Sequence, residues 1–234
     1  IADPKEAFVF ETADESWIVE KVRDVRSISN GITIRGKGDM RREGIIPHAI
    51  EQGYCKDEQD FDFAVTFSGS APSRSPFSRL GKSSSLLSEN KGKITPSMMM
   101  EFLRDHQAGI CMHGGFESTG SQVSRLDEVS KVHWFTGTTL PCMSTFKPYV
   151  FPVNGQRCDA IGPHSDLNND WPWVQHSRNK FRKIVPKLME LERELVSRVN
   201  SLLHKQEEMG DEQFCAEMRA LNREAWEKSQ ALLE

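Results

Sequence analysis

The sequence predicts an α+β fold closed by a pair of helices, and three observations carry that prediction. Short β-rich runs occupy residues 7 to 22 and resume after residue 109. A helix start stands between them at Thr95-Pro96-Ser97. Near residue 160 the pattern changes, and apolar residues begin to recur at spacings of three and four.

In chain order, Ala7-Phe8-Val9-Phe10-Glu11 and Trp17-Ile18-Val19-Glu20-Lys21-Val22 form a β-hairpin pattern around the polar turn Ala13-Asp14-Glu15-Ser16. Ser27 to Ile34 reads as a further extended segment, with Asn30-Gly31 as a turn or bulge signal. Phe61 to Phe67 alternates apolar and polar, which suits a strand and, in this setting, a helix equally. Residues 68 to 92, rich in Ser, Gly and Pro, read as a surface loop with one helical turn at Arg79 to Leu87. Thr95 then supplies a cap and Pro96 the first helical position. Met98, Met99, Phe102 and Leu103 share a face, and Gly109 ends the helix. Strand-like runs follow at 110–112, 118–126, 132–136 and 146–151.

Residues 1–160 are expected to form the α+β body and 161–234 a linker and helical extension, with Pro163 to Asn169 as the linker. Phe181, Ile184, Leu188, Leu191, Leu195, Val199 and Leu202 mark one amphipathic helix, which either kinks at Pro186 or begins near it. Gly210-Asp211 marks a stop and a new cap. Phe214, Met218, Leu221 and Ala225 mark a second helix. Such a hairpin is too thin to fold alone, so its apolar faces dock on the body or on a protein partner, the body being the preferred reading.

The composition narrows the function. Of 234 residues, 37% are hydrophobic and 27% charged, an ordinary globular mixture able to bury a core. Thirty basic against 34 acidic residues leave a net charge of -4, which argues against nucleic acid as a partner. No run of about 18 apolar residues could span a membrane. The start at Ile1 carries no secretory pattern and reads as the interior of a longer polypeptide. The five cysteines are odd in number, widely spaced and never in a CxxC pair, so reduced thiols in a cytoplasmic protein are expected, with no metal and no cofactor.

Candidate chemistry is sparse. Cys111 and His113, two apart, would point the same way from a strand and could make a nucleophile and base. With no third partner in the local sequence, packing or solvent exposure is preferred over catalysis. Ser118 to Ser124 could line a polar pocket or be a half-exposed strand. Arg178, Lys180, Arg182, Lys183 and Lys187 could meet an acidic partner or anionic lipid. With Glu190, Glu192 and Glu194 close behind, they read as a solvated helix face. No Walker loop, Rossmann fingerprint or HExxH helix is present.

Several blocks, taken together and in order, resemble the secernin family. They are Asp3 to Ala7, Glu11-Thr12-Ala13, Ser27-Ile28-Ser29-Asn30, Phe61 to Ala64, Met100 to Asp105 and Ala108-Gly109-Ile110. Ser118 to Ser124, Phe135 to Thr138 and Phe146-Lys147-Pro148 complete the set. The resemblance implies an αββα sandwich of the N-terminal-nucleophile hydrolase type and a cysteine-type dipeptidase or amide hydrolase acting on small peptides. The attacking cysteine would lie upstream of Ile1, with its own α-amino group as base. Asn30 resembles the family's oxyanion-hole asparagine, although with Gly31 it also makes a plain turn. The alternative is a non-catalytic regulatory or scaffold protein of regulated exocytosis.

Overall fold

β1 (Ala7–Ala13) and β2 (Ser16–Val22) pair antiparallel from Ala7 opposite Val22 to Ala13 opposite Ser16. The two-residue turn between them places Asp14 at φ 51, a left-handed conformation that Asp tolerates better than most residues. The expected hairpin is therefore present. In this computed structural model residues 1–128, 130–137, 140–152 and 178–232 are described. The chain divides into two units, Ile1–Ile94 and Thr95–Glu234. The boundary expected at residue 160 and the Pro163–Asn169 linker lie outside the described residues.

In the first unit β3 (Met40–Arg41) joins β2 to complete a three-stranded antiparallel sheet, order β1-β2-β3. Helices α1 (Ile45–Glu51), α2 (Phe63–Ser68) and α3 (Arg79–Glu89) follow. Ile18, Ile34, Ile45, Ala49, Phe61 and Phe63 make the core. The ambiguous Phe61–Phe67 run resolves as helix. The Asp62 side chain caps it by accepting from Val65 N at 3.2 Å, and Phe63 meets Phe67 one turn on, ring centroids 4.8 Å apart.

Two expectations change here. Ser27–Ile34 runs without a ladder, because the Glu11 carboxylate takes the backbone N–H groups of Thr33 and Ile34, each at 2.8 Å from Oε2. Arg79–Glu89 is a helix of 11 residues, longer than the single turn expected within a loop. Ser78 caps it through Gly81 N at 3.1 Å. Gly81 lets the backbone of Ser75 approach so closely that a Cβ there would lie 2.0 Å from Ser75 O.

In the second unit α4 (Pro96–Phe102) begins as predicted, with Thr95 Oγ1 accepting from Met98 N at 3.3 Å. It stops at Phe102, short of Gly109, and the chain turns so that Arg104 enters the interior. Residues 110–112 bend after the turn at residues 106–109 and do not form the expected strand. β4 (Gln122–Leu126), β5 (Ser130–Phe135) and β6 (Lys147–Pro152) make a second antiparallel sheet in that order, with a 3₁₀ turn at Pro141–Met143 before β6. α5 (Arg178–Met209) carries Pro186 near its start, and α6 (Asp211–Ala231) follows Gly210.

These two helices dock on the second sheet. Val123, Val132, Trp134, Phe146 and Val150 pack with Leu191, Leu195, Val199, Phe214, Met218, Leu221 and Ala225 in one core. Each Val, Leu, Met and Phe among them contributes about 1.5–3 kcal/mol on burial. Asn222 Nδ2 adds a bond to Pro148 O at 2.8 Å. The fold is thus α+β, with two small antiparallel sheets and six helices among the described residues. No described helix is long and apolar enough to cross a membrane.

Lys147 is fully buried in this second core. Its Nζ donates to Thr136 O and Thr145 O, both at 3.1 Å, and lies 4.1 Å from the Trp226 ring centroid. Burial lowers its pKa to about 7, partly countered by Glu192. The unfolded chain therefore holds the proton up to about pH 10, while the folded one releases it from about 7 upward. Between those limits the unfolded state binds more protons, so stability rises with pH. The stability advantage of Lys147→Met over the unsubstituted protein should shrink by about 1.4 kcal/mol per pH unit from pH 7 to 9 in urea unfolding. A constant difference would mean that Lys147 stays charged in the folded protein.

Candidate functional site

The site in the second unit is built outward from Arg104. Its guanidinium donates through Nη1 to Glu192 Oε1 at 2.9 Å and through Nη2 to Glu192 Oε2 at 2.6 Å, with both side chains buried. Nε donates to Pro141 O at 2.9 Å and Nη2 to Ser144 O at 3.2 Å. The turn carrying Cys142 is thus gripped on either side by one cation. Phe146 N also donates to Glu192 Oε2 at 2.9 Å, and Thr145 Oγ1 to Leu188 O at 3.1 Å. Glu192, expected on a solvated face, is instead the buried counter-ion that ties α5 to this turn.

Seven residues after Arg104 the chain returns with Cys111. Ala108 N donates to Asp105 Oδ1 and Cys111 N to Asp105 O, both at 2.8 Å, and Gly109 adopts φ 72 in the turn between. Met112 N donates to Ser118 Oγ at 3.0 Å. This framing brings Cys111, buried, and Cys142, half-buried, to the same imidazole. His113 Nε2 lies 3.4 Å from Cys111 Sγ and 3.3 Å from Cys142 Sγ. The His106 ring stands edge-on to His113, with centroids 4.9 Å apart.

The four groups open into a cavity of about 810 Å³, also lined by Phe116 and Arg182. A hydrogen bond from Cys142 lowers the Cys111 pKa to about 5, with His113 and His106 adding to the effect against the cost of burial. The Cys142 thiol is raised, first because it donates that bond and then by burial.

The partners that the local sequence lacked for Cys111 and His113 come from elsewhere in the chain. His106 lies five residues before Cys111, and Cys142 comes from a turn 31 residues after it. A His/Cys inventory without the fold could have flagged His106. Nothing in the spacing singles out Cys142. Cys55, Cys111 and Cys142 are free thiols, whereas Cys215 is disulfide-bonded, which corrects the expectation that all five are reduced. Cys158 lies outside the described residues.

Asn30 is exposed in the first unit, and its Oδ1 accepts from Arg79 Nη2 at 2.6 Å and Ser29 Oγ at 3.0 Å. These bonds hold the carbonyl end of the amide. An oxyanion donor would use the opposite, NH₂, end. Ser118 to Ser124 divides its work: Ser118 closes the Met112 turn, and Ser121 N donates to Thr136 Oγ1 at 3.0 Å. Of the basic cluster, Arg182 reaches the cavity rim. Comparison with known proteins finds no family model and no solved structure that matches this chain.

Arg104→Met should destabilise the protein by about 3–5 kcal/mol in chemical unfolding, because it leaves the Glu192 carboxylate buried and unpaired. Adding Glu192→Leu should recover a large part of that loss. A double variant no more stable than Arg104→Met would assign the loss to the freed carbonyls of Pro141 and Ser144.

Proposed function

We propose that this chain is the C-terminal part of a secernin-like, cysteine-type dipeptidase or amide hydrolase of the N-terminal-nucleophile class. The αββα sandwich of that class belongs to the same reading. The observation that carries this reading is that the resembling blocks of the second unit are joined to one another by hydrogen bonds. Asp105 of the Met100–Asp105 block binds Ala108 of the next, and Ser118 Oγ donates to Ile110 O at 3.3 Å. Ser121 and Thr136 exchange bonds, Thr136 N to Ser121 O at 3.1 Å, and Lys147 Nζ reaches Thr136 O. Beside them Gly137 packs under the Trp226 ring, where a Cβ would lie 2.8 Å from the indole. Successive blocks of the second unit are therefore linked to one another by polar contacts.

The cavity of the second unit, near 810 Å³, lies within the range of about 300–1,000 Å³ of small-molecule sites, and Arg182 lines it. The catalytic residues of this reading follow from the resemblance and not from that cavity. The attacking thiol would come from the N-terminal cysteine of the full-length polypeptide, whose α-amino group takes its proton. Asn30 would donate to the oxyanion.

The test uses the full-length polypeptide: intact mass, N-terminal sequencing and an assay against dipeptides and small amides. The expected result is a mature N-terminal Cys and measurable turnover. Asn30→Ala should lower turnover by about 10²–10³ without loss of fold. Unchanged turnover in a folded variant would remove Asn30 from the mechanism. A non-Cys terminus with no turnover would favour the non-catalytic regulatory reading. In that case a protein partner would meet the polar outer faces of α5 and α6, since their apolar residues are spent on the core.

A further inference from the structure

We propose that His106, Cys111, His113 and Cys142 form a four-ligand site for one thiophilic divalent cation, Zn²⁺ in the first instance. The ligand atoms of these residues all lie within 4.8 Å of one another. In a tetrahedral site with Zn–S near 2.3 Å and Zn–N near 2.0–2.1 Å, neighbouring ligand atoms stand about 3.3–3.8 Å apart. The two sulfur–nitrogen edges measured here, 3.4 Å and 3.3 Å, are already that short. Only small side-chain rotations are needed to close the remaining edges.

The arrangement fits a metal better than a nucleophile–base pair. A base serving one thiol aligns with that thiol, whereas His113 Nε2 is almost equidistant from two. A second sulfur and a second imidazole are superfluous to such a pair, yet each occupies a corner here. Two sulfurs and two nitrogens with no oxygen select Zn²⁺ and related soft or borderline ions over Mg²⁺ or Ca²⁺. Two thiolates would also neutralise the charge of the ion.

The surroundings are those of a held site with an entry path. Arg104 fixes the turn of Cys142 through the carbonyls of Pro141 and Ser144, and Asp105 and Ser118 fix the turn of Cys111. His106 and His113 are exposed on the cavity side, so an ion can enter from solvent. Four protein ligands leave no coordination position for a substrate, so the ion would brace the cavity wall and take no part in bond cleavage. This inference does not depend on the hydrolase reading.

The chain would be purified under reductant, stripped with a chelator and titrated with Co²⁺ as the spectroscopic probe. One Co²⁺ per chain should bind, giving tetrahedral visible bands and a thiolate charge-transfer band, and Zn²⁺ should displace it. Cys111→Ser or Cys142→Ser should abolish the charge-transfer intensity or halve it, and weaken Co²⁺ binding by at least about a hundredfold. Cys55→Ser should change nothing. Should the serine variants misfold, alkylation of the unsubstituted chain decides: Zn²⁺ should protect Cys111 and Cys142 while Cys55, buried elsewhere, reacts at an unchanged rate. A folded, reduced chain that gives no tetrahedral Co²⁺ spectrum, or one whose spectrum survives both serine variants, would overturn the proposal. So would equal alkylation of Cys111 and Cys142 with and without Zn²⁺.

Discussion

The buried Arg104–Glu192 pair is the constraint on which the second unit depends. Removing two charges from water costs several kcal/mol each, and attraction offsets that only where geometry and further hydrogen bonds are good. Both conditions hold here. The pair is bidentate, and the guanidinium reaches two backbone carbonyls while the carboxylate accepts an additional backbone N–H. An aliphatic pair of the same volume could stabilise as much, but it would not choose partners. The ion pair imposes a geometry, because the Pro141–Phe146 segment must present two carbonyls and one N–H to it. It joins the end of α4, the turn before β6 and the middle of α5, three segments that no local pattern would bring together.

That choice of partners makes the thiol–imidazole cluster possible. Cys142 sits between the two carbonyls that Arg104 holds, and Cys111 emerges from the turn that follows Arg104 directly. The distance between the sulfurs and His113 is therefore fixed by a cation behind the cavity rather than by the cavity residues themselves. Lys147 shows the same economy from the other side. Its ammonium satisfies Thr136 O and Thr145 O at the strand ends, at the cost of a charge that burial works against.

The sequence carried the regular elements well where local chemistry decides them. The hairpin at Ala7–Val22, the Thr95 cap and the apolar stripes of the two long helices are all set by neighbours in the chain. Legibility failed where a distant side chain intervenes. Ser27–Ile34 has the composition of a strand, but Glu11 takes its amide groups. Arg79–Glu89 looks like a loop because Gly and Ser are poor helix formers, and only the Ser75 contact explains Gly81. Glu192 reads as one of three surface acids on a charged helix, and nothing within four residues announces that it is buried.

The candidate site was legible only in half. Cys111 and His113 attract notice through their spacing, but the local sequence offers them no third group. The missing groups are supplied by a turn that shifts His106 into range and by a segment that the ion pair delivers from 31 residues away. An N-terminal-nucleophile enzyme draws its reacting thiol from the chain terminus, so internal cysteines are free for other work. A thiol pair that converges with two imidazoles, and is positioned by buried charge, is costly to build for packing alone. If the terminus supplies the nucleophile, the internal cluster is best understood as what holds the cavity wall in shape. If it does not, the same cluster is still the most elaborately supported feature of the unit, and a binding role is where that support would be used.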